Sequence, residues 1–369
     1  MNESIALQGA GFAAAEPRPV SRVLLPFEFR GSGGEYFRIW IVNLLLTIVT
    51  LGIYSAWAKV RRLRYFYGNT YLDGHSFEYH GRPLAILKGR LVVFFAYVAF
   101  LVLAQISPMA VLLMLPVIFF LGPWIIQRSR LFQMRMSSYR NIRFDFHGTY
   151  GGAMGAFIGW YFIAGLTFGI MTPSWVRKRV EYTLDNIAYG TQRWSFLTSA
   201  GRFYAFCYIT FAMALVAWLV FIFVVLKPFM FGNIDPQSVP TMTGLLLAGG
   251  LKLWLGIFAG AIVGFMIYGY YEASFLNASF GGVQIGSNYI RSRLEVGSLV
   301  GIYVTNLLGI VFTLGLFYPW AKVRQVRYQL ENTALDSDGN LSAFTASASQ
   351  GVSAFGQEAG DFFDVDFGL

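Results

Sequence analysis

Between Leu91 and Ile126 the chain runs for 36 residues without one charged side chain. A membrane-spanning helix needs roughly 20 apolar residues. This stretch therefore holds two helices, with a turn expected at Gln105-Ile106-Ser107-Pro108. Other uncharged runs extend the count to seven candidate segments, at 38–58, 91–106, 109–126, 150–172, 203–226, 243–270 and 297–318. Charged residues make up 13% of the chain and hydrophobic residues 56%, whereas soluble domains run near 25% charged. That balance excludes a disordered chain, a secreted disulfide scaffold and an ordinary cytosolic enzyme. The single Cys207 lies in an apolar run and excludes an internal disulfide.

The second constraint is internal similarity. Asn43-Leu44-Leu45, Thr50-Leu51-Gly52, Trp57-Ala58-Lys59-Val60-Arg61, Arg64-Tyr65 and Asn69-Thr70 recur as Asn306-Leu307-Leu308, Thr313-Leu314-Gly315, Trp320-Ala321-Lys322-Val323-Arg324, Arg327-Tyr328 and Asn332-Thr333. Fifteen of the 28 positions in 43–70 and 306–333 are identical. A weaker middle copy keeps Thr167, Gly169, Ile170, Arg179, Tyr182 and Asn186. The reading is three single-segment units near 27–70, 144–187 and 289–333, separated by two-helix units near 77–143 and 194–288. They form a membrane domain over 25–335, flanked by a disordered tail at 1–24 and a flexible tail at 336–369. Residues 1–24 do not read as a signal peptide, so the first apolar helix is expected to serve as the insertion signal.

Several unit starts carry alternating motifs: Phe27-Glu28-Phe29-Arg30-Gly31, Phe77-Glu78-Tyr79-His80-Gly81 and Phe144-Asp145-Phe146-His147-Gly148. Period-two alternation predicts strands, one face aromatic and the other charged. Trp194-Ser195-Phe196 holds the equivalent place without the charges. His80 and His147 read as basic partners for the neighbouring acid rather than as a metal pair. The expected fold class is an α-helical polytopic membrane protein with internal repeats, with short β-strands at the cytoplasmic membrane surface.

Charge placement separates two topologies. Seven plain crossings would split Lys and Arg eleven to sixteen between the two sides. If the single-segment units enter and leave on one side, the split is 26 to one, with Lys252 inside a span. The positive-inside rule favours the second layout, with both termini cytoplasmic. Each single-segment unit has a Thr-x-Gly break, placing Gly52, Gly169 and Gly315 as candidate helix breaks. The helices after these breaks mix bases with aromatics. Trp57, Lys59, Arg61, Arg64, Trp320, Lys322, Arg324 and Arg327 are candidate interfacial contacts to anionic lipid. Asn69, Asn186 and Asn332 are expected to end those helices as left-handed caps.

This ordered set of motifs, with the acidic-aromatic end Asp361–Leu369, resembles the YjgN family, catalogued as domain of unknown function 898. The resemblance covers about residue 24 to the end and implies a bacterial inner-membrane protein of multiple spans. It brings no catalytic residues.

Lys252 is an ionisable residue within a span and therefore a functional candidate, with snorkelling as its structural alternative. Asn43 and Asn306 add polarity inside apolar segments. Broken helices around polar residues suggest transport or permeation. The alternative is a lipid-interacting structural or regulatory protein without transport. No HExxH, GxSxG, P-loop or Cys/His cluster occurs, so the chain reads as no enzyme, with no cofactor, no metal and no nucleic-acid partner. The expected partners are anionic membrane lipids. The segment Asp361–Leu369 is a candidate for docking on the basic face or on a partner protein.

Overall fold

The computed structural model describes residues 22–226 and 242–339, together with 344, 345 and 348. Ten strands close into one antiparallel barrel: β1 (Val23–Phe29), β2 (Thr70–Leu72), β3 (His75–Tyr79), β4 (Ser137–Tyr139), β5 (Ile142–Phe146), β6 (Ile187–Tyr189), β7 (Gln192–Phe196), β8 (Val283–Ile285), β9 (Asn288–Ser292) and β10 (Thr333–Ser337). Consecutive strands pair throughout. The circle closes where β1 meets β10, with Val23 opposite Ser337 and Leu25 opposite Leu335.

This corrects the expected fold class. The protein is not an essentially helical bundle with short surface strands; its strands are a continuous, closed sheet. The four alternating motifs do lie on β1, β3, β5 and β7. Their partners β2, β4, β6 and β8 are three residues long. So short a strand has no readable period and exists only because its neighbours supply both hydrogen-bond ladders.

Helix pairs connect the strands. The first is α1 (Gly33–Val49) with α2 (Ser55–Gly68), and the second α3 (Pro83–Ile106) with α4 (Pro108–Arg135). In the third, α5 (Tyr150–Ala153) runs through a π-helical turn, Met154–Gly159, into α6 (Trp160–Leu166), and α7 (Thr172–Asp185) returns. The fourth joins α8 (Ala200–Val220), which ends in a π-helical turn at Phe221–Leu226, to α9 (Met242–Phe280). The fifth is α10 (Val296–Phe312) with α11 (Tyr318–Glu331). Every pair leaves one barrel strand and returns to the next, so all pairs start and finish at the same end of the molecule. That is the one-ended arrangement the charge count favours.

Local chemistry explains the short pairs. Ser32 caps α1 in a reciprocal capping box with Glu35. At its far end the Leu51 N–H donates to the Ile48 carbonyl and the Gly52 N–H to that of Thr47. Leu51 (φ 49°) and Gly52 (φ 92°) are both left-handed. This is a Schellman stop. The same bonds recur at Phe168-Gly169 and Leu314-Gly315. The preceding threonine completes each break. Thr50 Oγ1 donates to the Leu46 carbonyl at 2.7 Å and accepts the Tyr54 N–H at 2.9 Å. Thr167 and Thr313 do the same. Leu51, Phe168 and Leu314 at the tips are 94%, 97% and 94% exposed, an apolar surface suited to lipid.

The asparagines at the other end correct an expectation. Asn69, Asn186 and Asn332 have negative φ rather than the left-handed conformation. Their Nδ2 groups instead donate to the carbonyls of Tyr65, Tyr182 and Tyr328, each at 2.8 Å. A side-chain donor thus satisfies a terminal carbonyl without an unfavourable backbone.

Candidate functional site

Alternation along the strands turns aromatics into the barrel. Phe27, Phe77, Phe144 and Trp194 line a lumen of about 520 Å³ with Leu72, Tyr139, Tyr189, Ile285, Ile290 and Leu335. Glu28, Glu78, Ser195 and Arg291 face outward and are exposed. Phe77 stacks on Tyr139 at 4.7 Å between ring centroids, and Phe144 lies 5.2 Å from Tyr189. The two phenols spend their polarity on backbone: Tyr139 donates to the Leu72 carbonyl at 2.7 Å and Tyr189 to the Tyr139 carbonyl at 3.0 Å. Burial pushes both tyrosine pKa values up. The lumen wall is therefore almost wholly apolar, and its volume is that of a small-ligand pocket.

Its two ends differ. At the turn end Phe344 stacks on Tyr189 at 5.9 Å. Nearby, the Thr191 N–H donates to the carbonyl of the fully buried Ala348 at 3.2 Å. At the helix end the lumen is lined by Phe66 and Tyr67 of α2, Leu276 and Phe280 of α9, and Val326, Gln329 and Leu330 of α11.

Above this end lies a ring of charge. Lys322 on α11 is within electrostatic reach of Arg62 on α2 and Glu272 on α9. Lys59 on α2 interacts with Arg62 and with Arg90 on α3. Tyr271 on α9 interacts with Glu272 and with Arg179 on α7, and Arg179 repels Arg130 on α4. All five returning helices thus contribute to a cluster of bases that contains one acid, Glu272. Arg62 precedes Phe66 by one turn, which puts the ring about 6 Å beyond the lumen lining. Gln329 joins the two regions: it lines the lumen and donates to Glu272 at 3.1 Å. Burial, then Arg90 and Arg62, lowers the Lys59 pKa. Burial also lowers that of Lys322, with Glu272 opposing. Arg179 lies over Trp175 at 4.8 Å and Phe157 at 5.2 Å, and its Nε has no partner.

The sequence-derived candidates fall into distinct places. Lys59 and Lys322 are in the ring. Arg64 donates to the Gly81 carbonyl at 3.4 Å and Arg327 to the Gly31 carbonyl at 2.7 Å, each tying its helix to the next strand–helix turn. Gln127 on Gly148, Arg177 on Thr198 and Asn277 on Leu294 make the corresponding ties. Five side-chain-to-carbonyl bonds therefore run around the barrel rim. The neighbouring tyrosine makes the turn tight: a Cβ on Gly31 would sit 2.7 Å from the Tyr65 hydroxyl, which donates to the Ser32 carbonyl.

Trp57 is half-buried against the cluster around Ala56 and Val60. Trp320 packs on α1, 4.9 Å from the Phe37 ring. Arg61 is exposed, and Arg324 donates to Thr305 at 2.8 Å. Asn43 and Asn306 are buried with unpartnered amide oxygens; Asn306 also donates to the Ala321 carbonyl at 3.2 Å. Gly52, Gly169 and Gly315 form the helix breaks described above. Lys252 lies on α9, but its side chain is outside the described residues, as is the segment Asp361–Leu369. His80 does meet Glu78, at 3.5 Å, and also Ser138. Asp145 instead pairs with Arg135 at 2.9 Å, not with His147.

Sequence reasoning did not single out Arg62, Arg130, Arg179 or the lumen aromatics as a site. One signal was available on α2, where Lys59, Arg62 and Phe66 share a helix face by their spacing of three and four.

Residues 24–362 match the family described as "Bacterial protein of unknown function (DUF898)". The chain is 25% identical over 350 residues to the "Inner membrane protein YjgN" of Salmonella typhimurium strain LT2, covering 84% of this chain and 88% of that protein. It is 34% identical over 131 residues to the protein of the same name from Escherichia coli strain K12, covering 33% of this chain and 31% of that one. No solved structure matches the chain. Among the described residues four helices are long and apolar enough to cross a membrane: 83–106, 111–135, 200–224 and 253–280. The chain is a membrane protein and belongs to the DUF898 family.

Proposed function

We propose that this protein binds an anionic amphiphile at the junction of barrel and bilayer, as a lipid-interacting membrane protein. One observation carries the reading: six half-buried or exposed bases, Lys59, Arg62, Arg90, Arg130, Arg179 and Lys322, gather on the helices that border an apolar, aromatic-lined lumen. A phosphate or carboxylate head suits the ring, where charge-assisted hydrogen bonds are strong. A hydrocarbon portion suits the lumen, where its transfer from water is favourable. In this reading the barrel and its 26 bases lie on the cytoplasmic side. The two long pairs cross the membrane, and the three short pairs enter it and return.

Purified full-length protein would be analysed for retained lipid and, after reconstitution, for solute flux. Co-purifying anionic lipid that is lost in Arg62→Gln/Arg179→Gln supports the reading. Unselective lipid retention that the variant does not change would overturn it. Permeation is the second reading, favoured by the buried amides of Asn43 and Asn306 in the short helices. Robust solute flux without lipid selectivity would establish it instead.

A further inference from the structure

We propose a second anion site, on the outer rim of the barrel between β9, α8 and α9, that takes the phosphate group of an anionic phospholipid. An open pocket of about 880 Å³ lies there, sharing Ile290 and Ser292 of β9 with the lumen lining. Four arginines line it: Arg22, Arg202, Arg291 and Arg293. The acid close to them is Asp336, which is 2% exposed and already engaged by Arg22 at 3.6 Å and by Arg291 Nε at 2.7 Å. Among the described residues, Arg202 and Arg293 have no acidic partner. Both are exposed, and Tyr270 and Tyr289 line the same pocket.

Comparison around the rim gives this place its specificity. Each strand that leads into a helix pair ends with an outward residue, one inward residue and a second outward residue. At β1 these outward residues are Glu28 and Arg30, which pair at 2.8 Å. At β3 they are Glu78 and His80, which pair at 3.5 Å. At β9 they are Arg291 and Arg293, so a base stands where β1, β3 and β5 place Glu28, Glu78 and Asp145 and β7 places Ser195. At β5 the outward acid, Asp145, is paired with Arg135, so each acid-bearing rim sets a base beside its acid, while β9 presents two arginines. Arg202 on the first turn of α8 then adds a further cation from the facing helix.

The setting selects the ligand. Beyond the pocket, the helix faces that carry Arg202 on α8 and Tyr270 on α9 continue, by their spacing of three and four, as exposed Ile209, Met213, Val263 and Met266. A headgroup phosphate held by Arg202 and Arg293 would have its acyl chains against that surface. Free inorganic phosphate shares the headgroup's chemistry and is the competing source.

The test uses the full-length protein in detergent. Native mass spectrometry follows adducts of phosphatidylglycerol and phosphatidylcholine, and calorimetry follows inorganic phosphate. In Arg202→Gln/Arg293→Gln, one phosphatidylglycerol adduct should weaken by about tenfold or more, the effect of losing a charge-assisted bond. Phosphatidylcholine adducts should not change, and Arg202→Lys/Arg293→Lys should retain part of the effect. Lipid adducts unchanged with inorganic phosphate binding lost would assign the site to the free ion and overturn the phospholipid assignment. No change in either ligand would overturn the site altogether. Arg62→Gln should leave this adduct intact, so the outcome is independent of the central ring.

Discussion

The short and long helix pairs begin and end alike, on adjacent strands of one barrel, yet they reach different depths. The 17 residues of α1 rise about 25 Å, less than a hydrocarbon core of about 30 Å. The 24 residues of α3 rise about 36 Å. The cause of the difference is local. The short pairs carry threonine, a left-handed residue and glycine, which stop the helix by satisfying its last carbonyls in place. The long pair α3–α4 turns at Ser107-Pro108, where Ser107 Oγ accepts the Met109 N–H. The two designs teach that the barrel sets where a pair starts, while the turn sets how far it goes.

The sharpest way to break the comparison is a charge at each tip. Phe168→Asp and Leu314→Asp should each cost about 2.5–3.5 kcal/mol if the short tips lie in hydrocarbon. Loss of membrane-inserted, folded protein would register it on fractionation. Met109→Asp, at the tip of a long pair, should be tolerated. Equal tolerance at all three tips would mean that the short tips are not in lipid.

The next effect concerns the rim ties. Arg327→Ala removes the bond to Gly31 that joins residues far apart in sequence at the β1–β10 seam. It should lower stability by about 1.5–3 kcal/mol, read as a fall in the unfolding midpoint. Gln127→Ala, at a neutral tie beside a long pair, should cost about 0.5–1.5 kcal/mol. A larger loss for Gln127 would place the weak joint elsewhere.

The charged ring carries a pH prediction with two opposite signs. Lys59 and Lys322 are held below the ordinary lysine value of 10.5. Their charged forms therefore cost folding stability below the folded-state pKa. That cost is relieved as pH rises towards 10.5. Anion binding should change the other way, weakening as the two lysines lose their protons. Titration of anionic-lipid retention from neutral to alkaline pH checks this, and Lys59→Gln/Lys322→Gln should flatten the profile. A profile identical in that variant would remove these lysines from the site.

The smallest effect is at the helix break itself. Thr313→Ala loses one hydroxyl that both donates to Gly309 and accepts from Phe317. A destabilisation of about 1 kcal/mol is expected by thermal unfolding. No measurable change would show that the Schellman bonds alone end the helix.

How much of this was legible varies by residue. Phe27, Phe77 and Phe144 announced strands through their alternation, and Gly52, Gly169 and Gly315 announced breaks. Lys59 and Lys322 stood out as matching bases of the repeat and as candidate interfacial contacts. Arg130 and Arg179 did not, because their neighbours in the ring come from other helices. Asn69 named the right boundary for the wrong reason, since its side chain rather than its backbone closes the helix. The charge pairing expected for His147 failed because Arg135, ten residues before Asp145, reaches the carboxylate first.

By itself the sequence determined what depends on neighbours along the chain: apolar length, helix stops and strand alternation. These follow from solvation and backbone sterics within a few turns. Only the tertiary structure decided the barrel and both clusters of bases. Three-residue strands have no stability until partners on both sides pair with them, and the Arg327–Gly31 bond spans 296 residues. Closure is thus a property of the whole circle, and with it the convergence of five helix ends on one apolar lumen.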